Sequence, residues 1–132
     1  MIFLDANFLI SLFVEDHKHN KRAVEIWEEI QNKEIIISNS IIMEVITVLN
    51  IKLKVSKDIL ENAYINLNND NLKIVDDTGL YDEAMQKVIS LYPKRFPFFD
   101  CLYMVLMQEL GIKEILSFDG DFDNKEGIIR IH

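Results

Sequence analysis

The sequence predicts an α/β domain built on a mainly parallel, doubly wound sheet of about five strands. Three observations predict it. Five short runs, MIFL, EIIIS, LKIV, EILSF and GIIRI, are almost continuously apolar and rich in isoleucine, the pattern of strands covered on both faces. Helical patterns lie between them, and strands that alternate with helices pair in parallel through right-handed crossovers. The chain of 132 residues, 49% of them hydrophobic, has material for one sizeable core without a disulfide or metal staple. No repeat, linker or low-complexity tract divides it, so residues 1–132 are expected to form a single domain.

After MIFL, a helix begins beside Asn7, which is placed to cap it. From about Lys18 to Lys33, Ala23, Ile26, Trp27 and Ile30 recur on one helical face while Glu25, Glu28 and Glu29 occupy the other, so Trp27 reads as a core residue. EIIIS is followed by a helix through IIMEVITVLNIKL with Asn39 or Ser40 as its cap, and Ser56 caps another through KDILENAYINLNN. The asparagine-rich NLNNDN reads as a helix end and loop before LKIV. Thr78 starts GLYDEAMQKVISLY, which Pro93 ends. Pro97 opens FFDCLYMVLMQEL, and Gly111 closes it as a left-handed C-cap before EILSF and GIIRI.

The formal charge of -8 and the isoelectric point near 4.8 argue against a generally basic nucleic-acid surface. They leave room for a locally basic groove or for bound cations. The single cysteine, Cys101, lies in an apolar run and fits a buried thiol in a reducing compartment. The N-terminal run is interrupted by Asp5 and Asn7 and lacks a basic leader, and no run approaches the roughly 18 apolar residues of a membrane span. A cytoplasmic, soluble protein with no membrane partner is expected.

Of the 22 acidic residues, most sit on polar helix faces or in loops, and four do not. Asp5 is the only charged residue in positions 1–14, Glu44 the only one between Glu34 and Lys52, and Asp100 the only one between Arg95 and Glu109. Asp119 directly follows an apolar strand. An ionised carboxylate in an apolar setting costs several kcal/mol unless it finds a partner, a proton or a metal. Ligands of an open parallel sheet collect at the carboxyl ends of its strands, and Asp5 and Asp119 both stand there. Glu44 falls four or five residues into its helix, roughly 6 to 8 Å from the start, and Asp100 lies in a first turn, which leaves all four within reach of one pocket at that rim.

Clustered acids with no nearby cation in their own segments suit magnesium or manganese, which take oxygen ligands. Two such ions would activate a water and stabilise the leaving oxygen of a phosphodiester. Lys18, Lys21 and Arg22, Lys52, Lys54 and Lys57, or Lys94 and Arg95 offer contacts for a phosphate backbone, against the alternative of solvated faces. Within SFDGDFD, a solvated turn, a phosphotransfer nucleophile and part of a metal site compete. A dehalogenase-like phosphatase would place Asp119 as nucleophile and Asp121 as acid, but that motif opens a domain and only eleven residues follow Asp121. An EF-hand from Asp119 would need glycine at Asn124 and glutamate at Arg130. Four glycines leave no phosphate-cradling loop, and a receiver domain would want an acidic pair where only Asp5 stands. His17, His19 and His132 read as exposed, Asp123 as a turn residue or cap, and the four tyrosines, at helical positions, as core or rim.

FLDAN, an acid in the helix after the second strand, FFDCLYMVLMQELG and ILSFDGDF, in that order across essentially the whole chain, resemble the PIN domain family, in particular its small prokaryotic VapC-type ribonuclease toxins. The resemblance implies a three-layer α/β/α fold and a metal-dependent endoribonuclease whose acidic quartet maps onto Asp5, Glu44, Asp100 and Asp119, with Asp121 as an additional acid near magnesium or manganese. Asn7 and Ser117 match polar positions that orient ligands or water, although Asn7 as a simple helix cap stays open. An RNA substrate, a cognate antitoxin protein and a homodimer are also implied. The bulky CLYMVLMQ departs from the alanines usual after Asp100, so the packing of a dimer surface does not transfer. Two other readings of the same fold are a weakly active or inactive RNA- or protein-binding module and a housekeeping RNA-processing nuclease.

Overall fold

The structure, a computed structural model, describes residues 1–125 and 127–132. Its five strands are β1 (Ile2–Leu4), β2 (Ile35–Ser38), β3 (Leu72–Val75), β4 (Glu114–Leu116) and β5 (Ile129–Ile131). Helices α1 (Ala6–Phe13) and α2 (Asn20–Ile30) follow β1, α3 (Asn39–Thr47) and α4 (Lys57–Leu67) follow β2, and α5 (Tyr81–Leu91) and α6 (Phe98–Leu110) follow β3. The sheet order is β3-β2-β1-β4-β5 with every pairing parallel. The chain therefore starts at the centre, winds outward to one edge, and crosses back to build the other. That reversal between β1 and β4 opens the crevice in which such sheets hold ligands.

The α/β/α sandwich and single sheet are those expected, and the core is built as the apolar runs demand. Phe3, Leu4, Ile36, Ile37, Ile115 and Leu116 on the central strands are fully or almost fully buried, joined by Phe8, Ile26, Ile41, Leu102 and Tyr103 from the helices. The two edge strands differ from expectation. Lys73, Ile74 and Ile129 are exposed, because an edge strand has a covering layer on only part of its width. Trp27 is half-buried against the core rather than enclosed by it.

Helix boundaries follow local chemistry. Ser56 Oγ accepts from the Ile59 amide at 3.3 Å, Pro97 precedes α6, and Gly111 ends it at φ +69°, where a Cβ would be strained. Two expected caps move by one or two residues. The α1 cap is Asp5, whose Oδ1 accepts from the Ala6 amide at 2.8 Å, while Asn7 lies inside the first turn and turns its side chain elsewhere. The α3 cap is Ser38, with Asn39 and Ser40 already helical, and the helix runs on as a π-helical turn over Val48–Lys52. The start of α3 is pinned instead by Asp77, which accepts from Ser40 Oγ at 2.8 Å and donates its amide to Asn39 Oδ1 at 2.8 Å.

Candidate functional site

Register brings the first two acids together. Leu4 pairs with Leu116, and the Asp5 amide donates to the Leu116 carbonyl at 3.0 Å, so Asp5 and Ser117 leave their strands side by side. Ser117 Oγ donates to Asp5 Oδ2 at 2.7 Å and accepts from the Asp119 amide at 3.0 Å. Asn7 closes the knot: its Nδ2 lies 3.2 Å from Ser117 Oγ, and its Oδ1 accepts from the Phe118 amide at 3.0 Å. Asn7 and Ser117 thus hold the two strand ends in one conformation.

Asp119 Oδ1 accepts from the Asp121 amide at 2.9 Å in a tight turn that leads into the short helical turn Gly120–Phe122. Asp100, in the first turn of α6, reaches the same place. Asp100, Asp119 and Asp121 each present a carboxylate oxygen, all within 4.8 Å of one another. Asp100 Oδ2 is buried and has no hydrogen-bond partner. Glu44 lies in the second turn of α3, where its Oε1 accepts from Tyr103 Oη at 2.7 Å. Asp5 and Glu44 stand outside the tight trio yet act on it. Burial, then Asp5, Asp119, Glu44 and Asp121 in turn, push the Asp100 carboxyl up to about 8. Burial also raises Asp5 to about 7 against the opposing bond from Ser117, with Glu44 and Asp119 adding to the rise. Glu44 is raised by burial and lowered by its bond to Tyr103.

The donor set is oxygen only, and Asp100 keeps one buried oxygen unspent. Those two features fit a hard divalent cation, for which oxygens on one ion lie no more than about 4.2 Å apart. The trio within 4.8 Å is already close to that spacing.

Three contributors were missed by the sequence reading. Tyr103 is fully buried between Phe3 and Phe99 and anchors Glu44, and its only sequence signal is its position three residues after Asp100 on the same helix. Arg130 grips Asp123 through two bonds of 2.7 and 2.9 Å and donates to the Ser117 carbonyl at 3.1 Å, so it braces the turn from behind. Asp123 is accordingly a turn residue in an ion pair. Asp77 is a fully buried carboxylate that follows LKIV, a position as suggestive as that of Asp119.

His17 and His19 depart from expectation. Both are half-buried, because the His19 ring stacks on Phe118 at 4.5 Å and the His19 amide donates to His17 Nδ1. Lys94 and Arg95 also part company: Lys94 lies over Phe96, whereas Arg95 lies over Tyr92.

A parallel, doubly wound sheet with a carboxylate cluster at its switch point defines the class as an α/β domain with an acidic, oxygen-donor site at the strand ends. More particularly, the PIN domain family profile matches residues 2–128, and the chain belongs to that family. Among solved structures, it is similar to Mycobacterium tuberculosis VapC20, a sarcin-ricin loop cleaving toxin, with TM-score 0.83, 20% identity and 92% of each chain covered. It is also similar to a toxin-antitoxin complex from Klebsiella pneumoniae, with TM-score 0.67, 18% identity, and coverage of 98% of this chain and 96% of that one. A third similar structure is VapBC2 from Rickettsia felis bound to a promoter DNA fragment, with TM-score 0.67, 14% identity, and 99% and 98% covered. At these identities the likeness is one of fold. Curated protein sequences give no match. No described helix is long and apolar enough to cross a membrane.

Proposed function

We propose that the chain is a divalent-metal-dependent endoribonuclease and the toxin of a toxin-antitoxin pair. Asp100, Asp119 and Asp121 are assigned as the ligand trio for magnesium or manganese, with Asp5 and Glu44 completing the acidic site. The observation that carries this reading is the Asp100 carboxyl, which keeps a buried, unpartnered oxygen while four other carboxylates press on it. Such an arrangement is unfavourable in a purely structural role.

A bound divalent cation supplies Lewis acidity, lowering the pKa of water and offsetting charge that builds on a phosphoryl group. The chain's own residues hold the acids ready. Ser117 fixes the Asp5 carboxylate and the Asp119 backbone, Tyr103 fixes Glu44, and Asn7 ties the β1 and β4 ends together. Because burial and crowding raise Asp5 and Asp100, binding of a divalent cation near neutral pH would release protons from them.

RNA as substrate draws support from the sarcin-ricin loop cleaving neighbour, and an antitoxin partner from the two complexes. Met43, Ile51, Tyr64 and Ile65 stand exposed on the α3–α4 side, an apolar surface that suits a protein partner or a second copy in a homodimer. The net charge of -8 favours one other reading, a PIN-fold binding module with little turnover.

The test incubates purified protein with structured and single-stranded RNAs, with magnesium or manganese, with chelator, and with the Asp100→Asn variant. Cleavage is expected only with metal and wild-type protein. Cleavage that survives chelation or the substitution would overturn the assignment.

A further inference from the structure

A chain of net charge -8 gathers lysines along one side of α6. Lys94 Nζ lies 4.8 Å and Lys125 Nζ 4.6 Å from the centre of the same Phe96 ring, which is itself buried. Two ammonium groups over one ring repel each other, and the ring offsets only about 0.5–1 kcal/mol for each. Lys125, Lys87 and Lys113 also line a cleft of about 550 Å³ beside Met104 and Met107. Among the described residues, the ion pairs are Arg22–Glu25, Lys57–Glu61 and Arg130–Asp123, and none of these lysines takes part.

The neighbourhood is electropositive in its effect on its own members. Partial burial first, then Lys94 and in smaller measure Lys87, lower the Lys125 ammonium from its ordinary range, while Asp121 opposes them. Lys125 follows Asp121 of the acidic trio by four residues in the chain, and the two charges act on each other. Arg95 does not join, since its guanidinium lies 5.1 Å over Tyr92.

We propose that Lys94 and Lys125, over the Phe96 ring, together with Lys87, which shares a cleft with Lys125, form a binding site for a backbone phosphate of the RNA strand, and that Lys113 extends it along the cleft beside α6. An anion relieves the lysine–lysine repulsion, whereas the free protein has no described carboxylate paired with these groups. The site rests on the ribonuclease reading, because its value lies in leading a strand to Asp121 and its partners.

The experiment measures fluorescence anisotropy of a labelled single-stranded RNA with Asp100→Asn protein at several salt concentrations. The comparison is with the same protein carrying Lys94→Gln and Lys125→Gln, with Lys94→Arg and Lys125→Arg, or with Lys33→Gln, a change at an exposed lysine outside every basic cluster named above. The glutamine pair is expected to weaken binding roughly tenfold or more and to reduce the salt slope by about 1. The arginine pair and Lys33→Gln should bind as the parent does, and thermal melts confirm that each variant folds. Unchanged affinity and slope in the glutamine pair would overturn the site, as would lysine-dependent binding of polyglutamate together with lysine-independent binding of RNA. Wild-type cleavage with unchanged RNA binding by the glutamine pair would defeat this site alone. Lysine-dependent RNA binding without any wild-type cleavage would defeat the ribonuclease reading alone.

Discussion

Ser117 has the largest share of the site's internal bonding for its size. Its one hydroxyl donates to Asp5 and accepts from the Asp119 amide, so a single side chain fixes acids contributed by β1 and β4. Removing it leaves a buried carboxylate with one donor fewer, and hydrogen bonds to charged groups are worth about 1.5–3 kcal/mol. Ser117→Ala is therefore expected to lower metal-dependent cleavage about 10- to 100-fold, the usual consequence of losing a group that orients ligands. Isothermal titration with manganese, beside a cleavage assay, checks it. Undiminished affinity and rate would show that Asn7 and the backbone alone suffice.

Among the elements, α6 has the central role, because Asp100 and Tyr103 lie three residues apart and so project from neighbouring positions on the helix surface. One helix thus delivers an acid to the trio and a hydroxyl to Glu44 on α3. The two helices are otherwise placed independently: α3 is tied at its start to Asp77 after β3, and α6 ends at the left-handed Gly111. Tyr103→Phe keeps the ring packed against Phe3 and Phe99 and removes only the bond to Glu44. It should fold normally, show weakened manganese binding, and lose cleavage, with kcat reduced more than KM rises. A variant with wild-type metal affinity and kcat would reduce Tyr103 to a packing residue.

At the scale of the whole molecule, the crowded acids make stability depend on pH. Asp5 and Asp100 rise from 3.8 to about 7 and about 8, so between those limits the folded chain binds protons that the unfolded chain has released. Stability then falls as pH rises through this window and levels off above about 8. Glu44, also raised, works in the same direction. His17 is lowered from 6.5 by partial burial and opposes them around that pH, one group against three, while the lowered Asp76 and Asp123 act below 3.8. In chelator, the melting temperature should therefore decline from about pH 5 to about pH 8, and manganese should restore more of it at the upper end. A flat profile without metal would mean that the acids are not crowded in solution.

Much of this was legible in the chain itself, for physical reasons. Continuous isoleucine-rich runs must be buried on both faces, which gave the parallel sheet, and isolated acids in apolar segments are costly enough to single out Asp5, Glu44, Asp100 and Asp119. Ser56, Pro97 and Gly111 act within one turn of chain, so their positions mark helix ends without tertiary information. What sequence alone misjudged depended on distant neighbours. Asp5 rather than Asn7 caps α1 because the chain just after β4 occupies Asn7 through the Phe118 amide, and β3 and β5 are half-open because they fall at the edges. Tyr103 and Arg130 gave little local signal, since a buried tyrosine and a strand arginine acquire their roles only from Glu44 and Asp123 across the fold, whereas Asp77, placed after its strand much as Asp119 is, takes a structural role because Ser40 meets it. The same holds for the lysine cluster, drawn from α5, the Pro93–Pro97 loop and the turn before β5. Which residues had to be buried, and which buried charges needed a purpose, follow from the order of amino acids alone, because hydration cost is a property of each segment. Which charges meet follows from the folded arrangement, because separation in space is set by strand order and register.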